Sequence, residues 1–457
     1  MLQLIAEAVN DRTARGIAAA VSRLVRDGTL PAGTRLPTVR VVARELGISP
    51  TTVSEAWRSL AGAGAIQTRG RSGTFVLAPI RPRHRMRYAR LTASPATLPH
   101  DLSTGVPDHD LLPDLAPALR RIGDTRLTPS YLEEPVLPRL EEVLRERWPY
   151  PPERLTVVDG ALDALDRIVA RTVHFGDHVL VENPTFPPML DLLESVGAVP
   201  VPVPLDDEGL DPTALAAALT HEPTALVLQP RAQNPTGISM SAARAAALAT
   251  VLRAHPGLTV IEDDHAGDIA SAPALSLGEW LPDRVVHVRS FSKSHGPDLR
   301  LAAIGGPAQV VTAVADRRLL GPGWSSRVLQ GVLLDLLTDP DAVRAVAAAR
   351  AEYARRRVRL LTALAGYGVR ASAADGINMW LPVHDQQVAM LALAGHGIAV
   401  APGTPFEVGP LGGDHVRVTA GLVRDGFDEL AAVLAAAAGA PRRASGRRTR
   451  ALRRGGR

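Results

Sequence analysis

Ile17, Val21, Leu24 and Val25 recur at the spacing of one helical face over residues 13–27, and the pattern stops at Gly28. After the turn Leu30-Pro31-Ala32-Gly33, Thr38 is placed to cap a second helix that runs to Leu46 and ends on Gly47. Ser49 then caps a third helix with Pro50 in its first turn, where a missing N–H costs no hydrogen bond. Val53, Trp57 and Leu60 make the buried face of that helix. Runs at 65–67 and 73–76 read as two strands around the tip Thr68-Arg69-Gly70-Arg71-Ser72-Gly73. Two short helices joined by Gly47-Ile48-Ser49 and followed by a hairpin predict a winged helix-turn-helix over residues 1–79.

Residues 80–100 lack sustained periodicity and read as an extended basic linker that can also touch DNA. From 101 to about 440, apolar β-rich runs alternate with helical stretches. Strands are predicted at 178–182, 199–203, 225–229, 258–262, 285–289 and 301–305. Helices between them imply an α/β domain with a mostly parallel sheet buried on both faces. Ligands of such sheets bind at the carboxyl ends of the strands, so motifs that follow these runs carry the chemistry. Residues 441–457 form a low-complexity Arg/Gly/Ser tail, expected to be disordered and to attract DNA without regard to sequence. No apolar run is long enough to span a bilayer and no cleavable signal pattern is found, so a cytoplasmic protein is expected.

Charge sharpens this division. The net +4 conceals +10 over residues 1–90, +8 over 441–457 and −14 between them. Basic ends on an acidic body point to nucleic acid at the ends. In a winged helix-turn-helix the N-terminal part of the third helix enters the major groove. Thr51, Thr52 and Ser54 then face base edges, with Arg35, Arg40, Arg44 and Arg58 on the backbone side. Arg69 and Arg71 of the wing meet phosphate or a minor groove. A three-helix bundle that docks protein is the alternative. Cysteine is absent, which excludes disulfides, thiolate metal sites and thiol nucleophiles.

Of fifty-one Lys and Arg residues, only Lys293 is lysine. Arginine replaces lysine wherever charge alone matters, but it cannot lose its proton to attack a carbonyl. Lys293 is therefore a candidate Schiff-base nucleophile; chance survival of a surface lysine is the bland reading. Its neighbours are Ser290-Phe291-Ser292-Lys293-Ser294-His295-Gly296-Pro297-Asp298-Leu299-Arg300. Earlier, Gly160-Ala161 opens a helix whose free N–H groups suit an anion such as phosphate. Glu182-Asn183-Pro184-Thr185-Phe186 places Phe186 to stack on a ring or to fill a core. Gln229-Pro230-Arg231-Ala232-Gln233-Asn234-Pro235-Thr236-Gly237 presents the Asn234 amide. Glu262-Asp263-Asp264-His265 ends a strand with three acids, which need a cation or a protonated ring nitrogen if buried. A divalent metal is the rival reading, disfavoured because no further ligand pair stands at helical spacing, so no metal is expected.

Two resemblances emerge. Gly28-x-Leu30-x-x-Gly33-x-x-Leu36-Pro37-x-x-Arg40, Leu46-Gly47-Ile48-Ser49-x-x-Thr52-Val53 and Arg69-Gly70-x-x-Gly73-Thr74-Phe75-Val76 resemble the winged helix of the GntR regulators. Pro50 stands where many members carry arginine. The later motifs, in their order, resemble fold-type I aminotransferases of class I and II. That resemblance implies pyridoxal 5′-phosphate held as a Schiff base on Lys293, with Asp263 on the pyridinium nitrogen, Asn234 at the ring hydroxyl and Phe186 stacked on the ring. It puts Gly160, Ala161, Ser290, Ser292 and Arg300 on the phosphate, and Tyr131 on the phosphate of a dimer partner. Arg417 matches the arginine that grips a substrate α-carboxylate. His265 replaces the usual tyrosine at the ring oxygen, where imidazole can donate but titrates near neutrality. The segment Tyr131-Leu132-Glu133-Glu134-Pro135 lacks the glycines usual after that tyrosine.

A GntR-type domain followed by an aminotransferase-like domain resembles the MocR/GabR subfamily of regulators. The resemblance implies a homodimer that binds double-stranded DNA and senses pyridoxal phosphate or an amino compound, with full transamination slow or absent. A working aminotransferase with an accessory DNA-binding domain is the alternative, and a scaffold that never loads cofactor is a third reading.

Overall fold

A computed structural model describes residues 1–26, 29–31, 33–62, 65–68, 73–77, 87, 98–123 and 133–439. Arg69 and Arg71 of the wing, Tyr131, most of the linker and the tail 441–457 lie outside these residues.

The first unit contains α1 (Leu2–Ala8), α2 (Ala14–Arg26), α3 (Val39–Leu46), α4 (Pro50–Gly62), β1 (Ile66–Thr68) and β2 (Thr74–Val76). Its core joins Ile17, Val21 and Val25 of α2 to Val42 and Leu46 of α3 and Val53, Trp57 and Leu60 of α4. The expected buried faces are thus the observed ones. Gly47 closes α3 at φ 65°, a left-handed conformation that favours glycine, and its N–H is bonded back to Ala43 and Arg44. Thr38 occupies the N-cap position of α3, but its hydroxyl makes no capping hydrogen bond. Ser49 does cap α4, accepting from Thr51 N–H at 3.2 Å. β1 and β2 pair antiparallel from Ile66–Val76 to Thr68–Thr74. The short α1 has only Ile5 buried and leaves no periodic trace in the sequence. Arg15 of α2 pairs with Asp177, and Phe175 packs against the core of this unit, so it contacts the domain that follows.

After β3 (His100–Asp101), the second unit is built on an eight-stranded sheet. Its strands are β4 (Arg154–Val158), β5 (His178–Asn183), β6 (Val199–Asp206), β7 (Gly209–Leu210), β8 (Ala225–Leu228), β9 (Thr259–Asp264), β10 (Val285–Ser290) and β11 (Ala302–Gly306). The spatial order is β4-β11-β10-β9-β8-β5-β6-β7. Strands β6, β5, β8, β9 and β10 run parallel; β11 runs against β10, and β4, antiparallel to β11, runs in the direction of the parallel set. Alternation along each strand divides two cores. Leu180, Leu226, Leu228 and Val260 enter one; Val179, Val181, Val227, Ile261, Val286 and Val288 enter the other.

The register gathers the motifs on one edge. The ends of β5, β8, β9 and β10 lead into residues 184, 229, 265 and 291, and Ser290 pairs with Ala302, which pairs with Val158. Because β11 runs back and β4 runs forward again, Gly160 reaches the same edge as the Lys293 loop.

A smaller lobe follows. Strands β12 (Met379–Val383), β14 (Ala401–Pro402) and β15 (Asp414–Val418) form an antiparallel sheet in the order β12-β15-β14. Its core is shared with helices Pro340–Gly366, Gln386–Gly395 and Phe427–Ala437. The two-residue strand β13 (Ile398–Ala399) pairs in parallel with β3. Among the described residues no helix is long and apolar enough to cross a membrane.

Beside the site edge a buried ion pair fastens the loop after β8 to the end of β9. Arg231 grips Asp264 through two hydrogen bonds of 2.9 and 2.7 Å and also donates to Ala272 O at 3.2 Å. Arg231→Ala leaves the Asp264 charge buried without its partner. A loss of about 3–5 kcal/mol is expected, read as a lower denaturation midpoint than wild type in chemical unfolding.

Candidate functional site

Of the acids that end β9, Asp263 faces one side, and Glu262 and Asp264 face the other, where His287 lies 2.7 Å from the first and 3.8 Å from the second. Glu262 accepts from Ser276 Oγ at 2.6 Å, Leu277 N–H at 2.7 Å and His287 Nδ1 at 2.7 Å. Burial would raise Asp264, but the Arg231 guanidinium outweighs it and holds that carboxyl down at about 2. Among the described residues no group of three or more His, Asp or Glu is placed to hold a metal ion.

Asp263 faces the site and is only 3% exposed. Its Oδ2 accepts from Gln229 Nε2 at 2.8 Å, while Oδ1 is buried with no hydrogen-bond partner among the described residues. Burial pushes Asp263 up to about 6 against the opposing Gln229 bond. A buried acceptor without a donor is costly, and a protonated ring nitrogen would satisfy it.

Gln229 holds two site residues at once. While its Nε2 serves Asp263, its Oε1 accepts the Asn234 backbone N–H at 2.7 Å. Asn234 Oδ1 accepts from Asn378 Nδ2 at 3.3 Å and Arg417 Nη1 at 3.4 Å, which commits the carbonyl side of the amide and leaves Nδ2 as the donor toward a ligand. Sequence reasoning quoted Gln229 without assigning it a role. A polar amide closing an otherwise apolar strand was the available signal, because such a group requires partners when buried.

Lys293 follows β10 in a loop that returns to β11, and its Nζ donates to Gly105 O. Burial, then the nearby Arg417 charge, pull its amine down to about 8, partly countered by Asp263. His265 donates Nε2–H to Ala232 O at 2.9 Å, since a carbonyl can only accept. Burial and the Lys293 charge push it down to about 4. The expectation that this ring titrates near neutrality therefore fails; it is held neutral, with Nδ1 left as an acceptor.

Arg417 lies in β15, 2% exposed, with its guanidinium 5.3 Å from the Phe406 ring centroid and Nη2 donating to Ser103 O. At the opposite end, Gly160 caps helix Ala161–Thr172 with φ 102°. A Cβ on Gly160 would come within 2.9 Å of Arg300 Nη2, so the bare backbone and the guanidinium share one cradle. Arg300 is exposed, sits at φ 48° and donates to Asp159 O at 3.3 Å. Ser290 Oγ accepts from Ser292 N–H at 3.3 Å in the adjoining loop. Phe186 is half-buried at the start of helix Pro187–Val196, beside Thr185, whose N–H reaches Phe406 O at 2.9 Å. Tyr131 cannot be placed, being outside the described residues.

On the first unit Arg35, Arg40, Arg44, Thr51 and Arg58 are exposed and Thr52 and Ser54 are half-buried. The four arginines form no ion pair with a described residue. Exposed cations on a helix-turn-helix are suited to phosphate.

Two family models match the chain: bacterial regulatory proteins of the gntR family over residues 13–76, and aminotransferase class I and II over residues 99–434. The chain belongs to the MocR-type transcriptional regulators. This MocR-type chain is 36% identical to the vitamin B6 salvage pathway transcriptional repressor PtsJ of Salmonella typhimurium, over 88% of its own length and 92% of the relative's. It is 29% identical to the pyridoxine biosynthesis transcriptional regulator PdxR of Corynebacterium glutamicum, over 65% and 67%. Its second unit shares the fold of the α-aminoadipate aminotransferase LysN of Thermus thermophilus, with TM-score 0.68 and 24% identity, covering 77% of this chain and 96% of that one.

The depressed Lys293 amine has a direct chemical consequence. Only the neutral amine is nucleophilic, and at pH 7 about a tenth of an amine titrating near 8 is neutral, against roughly three parts in ten thousand for ordinary lysine. Acetylation of Lys293 by acetic anhydride, followed by peptide mass spectrometry, is expected to rise with pH and reach half its plateau near pH 8. A midpoint near that of free lysine would contradict the site's electrostatics.

Proposed function

We propose that this MocR-type regulator binds pyridoxal 5′-phosphate through Lys293 and adjusts its hold on operator DNA to the presence of that cofactor or of an amino compound. The unpaired, buried Oδ1 of Asp263 carries the reading, because a pyridinium N–H is the donor that this position lacks. The names of PtsJ and PdxR, both regulators of vitamin B6 genes, favour the cofactor itself as a signal.

The residues divide the work. Lys293 is the nucleophile, and its lowered pKa keeps a usable share of it neutral. Gln229 holds Asp263 and Asn234 in fixed orientation, one toward the ring nitrogen and the other toward the ring oxygen. His265 accepts through Nδ1, with its own N–H committed to Ala232. Gly160, Ala161, Ser290, Ser292 and Arg300 hold the phosphate, and Phe186 covers the ring face. Arg417 orients an α-carboxylate. The bound cofactor would supply an electron sink. A homodimer working in the cytoplasm, with Tyr131 reaching a partner's phosphate, belongs to the same proposal. The joint presence of Lys293, Asp263, Asn234 and Arg417 also supports a second reading, an active aminotransferase tethered to DNA.

The test is a visible absorption spectrum of purified wild type and Lys293→Arg with pyridoxal phosphate added to both. A Schiff-base band in wild type alone is expected, and amino compounds titrated against it identify the effector. No band in either protein defeats the proposal, and sustained transfer from an amino donor to a keto acid favours the enzyme.

For DNA, Arg40→Ala with Arg44→Ala is expected to weaken all sequences alike. The slope of log affinity against log salt should flatten by about 2 if each arginine neutralises one phosphate. Electrophoretic mobility shifts across a salt series measure it; an unchanged slope takes these two residues off the backbone.

A further inference from the structure

Two donors of the site are already in use, and both are taken by one stretch of backbone. Ser103 O accepts from Arg417 Nη2 and Gly105 O accepts from Lys293 Nζ. Residues 98–108 thus form a strap that passes between the candidate nucleophile and the candidate carboxylate anchor. It is also the stretch by which the chain enters its second unit after the winged helix.

The strap is secured at both ends to the smaller lobe. Upstream, β3 pairs with β13, Leu102 N–H reaches Ala399 O at 2.9 Å and Thr419 N–H reaches Leu102 O at 2.8 Å. Downstream, Asp108 accepts from Arg356 Nη1 at 2.7 Å and Arg424 Nε at 3.0 Å, and its N–H donates to the Tyr353 hydroxyl at 2.9 Å. Between these anchors Gly105 N–H is bonded to Thr419 Oγ1 at 2.9 Å, and a Cβ on Gly105 would lie 3.1 Å from Arg417 Nη1. At φ 65° this position favours glycine in any case. Lys293, by contrast, belongs to the loop between β10 and β11 of the large sheet. Its bond to Gly105 ties the strap, and the lobe that carries it, to that sheet.

We infer that the strap and a ligand compete for the same two donors, so that filling the site unties the strap. This rests on the proposed cofactor chemistry. When the Lys293 amine condenses with an aldehyde, a C=N bond forms and the aldehyde oxygen leaves as water. The nitrogen then no longer has the amine hydrogen directed at Gly105 O. A ligand carboxylate on Arg417 displaces Ser103 O in the same way. Occupancy is thereby converted into release of the segment that continues toward the DNA-binding domain, which gives the two affinities a regulator must distinguish.

Hydrogen exchange of the full-length protein, followed over residues 98–108, tests this. In wild type without pyridoxal phosphate, the amides of Ser103 and Gly105, bonded to Asp101 Oδ1 and Thr419 Oγ1 at 2.9 Å, are expected to exchange slowly. Adding pyridoxal phosphate should raise their rates about fivefold or more, the scale of losing one hydrogen bond, as the visible band appears. Lys293→Met without cofactor should already exchange at the raised rate and not respond to cofactor. Gly105→Ala, whose Cβ presses on Arg417, is a second variant expected to exchange faster than wild type. A band that forms with no change in exchange overturns the strap while leaving the proposed function intact. If no band forms, the proposed function fails, and the variants without cofactor still decide the tie: rates equal to wild type in both overturn it.

Discussion

Three consecutive carboxylates end β9 inside the protein, and much of the structure exists to make that arrangement tolerable. Isolated buried charges are prohibitively costly, so each acid needs its own solution. Glu262 has a hydroxyl, a backbone N–H and His287; Asp264 has a bidentate arginine. Among the described residues, Asp263 receives only Gln229, on one oxygen. The difference between two fully compensated neighbours and one half-compensated acid singles out the position where a ligand would complete the network.

The electrostatics of the remaining groups agree with that asymmetry. Lys293 and His265 are both pushed toward their neutral forms, while Asp263 is pushed toward protonation. The burial that would penalise these charges lowers the amine into a reactive range. Glu182, fully buried near Gln233, is raised to about 8 by burial and keeps a neutral carboxyl behind the site at pH 7.

Much of the fold was legible in the chain because its strands are β-rich runs separated by helices, and because Gly47, Ser49 and Pro50 mark real helix ends. The candidate nucleophile stands out for a compositional reason, since every other cationic Lys or Arg position is arginine. The smaller lobe was not. Its strands β13 and β14 are two residues each, too short to show an alternation. Gln229 was overlooked because its importance comes from pairing with Asp263, thirty-four residues away in sequence, and not from any local pattern. His265 was misjudged for the same cause: the neighbours that keep it neutral come from other segments. The strap escaped notice because its function uses backbone carbonyls, which every residue possesses.

The antiparallel return of β11 has a consequence for how this chain can vary. Ser290 and Ala302 are directly paired, so residues 291–301 form a loop whose two ends are fixed by one ladder. Surface loops commonly absorb insertions at little cost. Here an added or lost residue would either slip β11 by one position, exchanging the side chains it sends into the two cores, or displace Lys293 from Asp263. Drift in length is therefore closed to this segment even where its composition is free to change, and the spacing from Ser290 to Arg300 serves as a ruler set by the sheet.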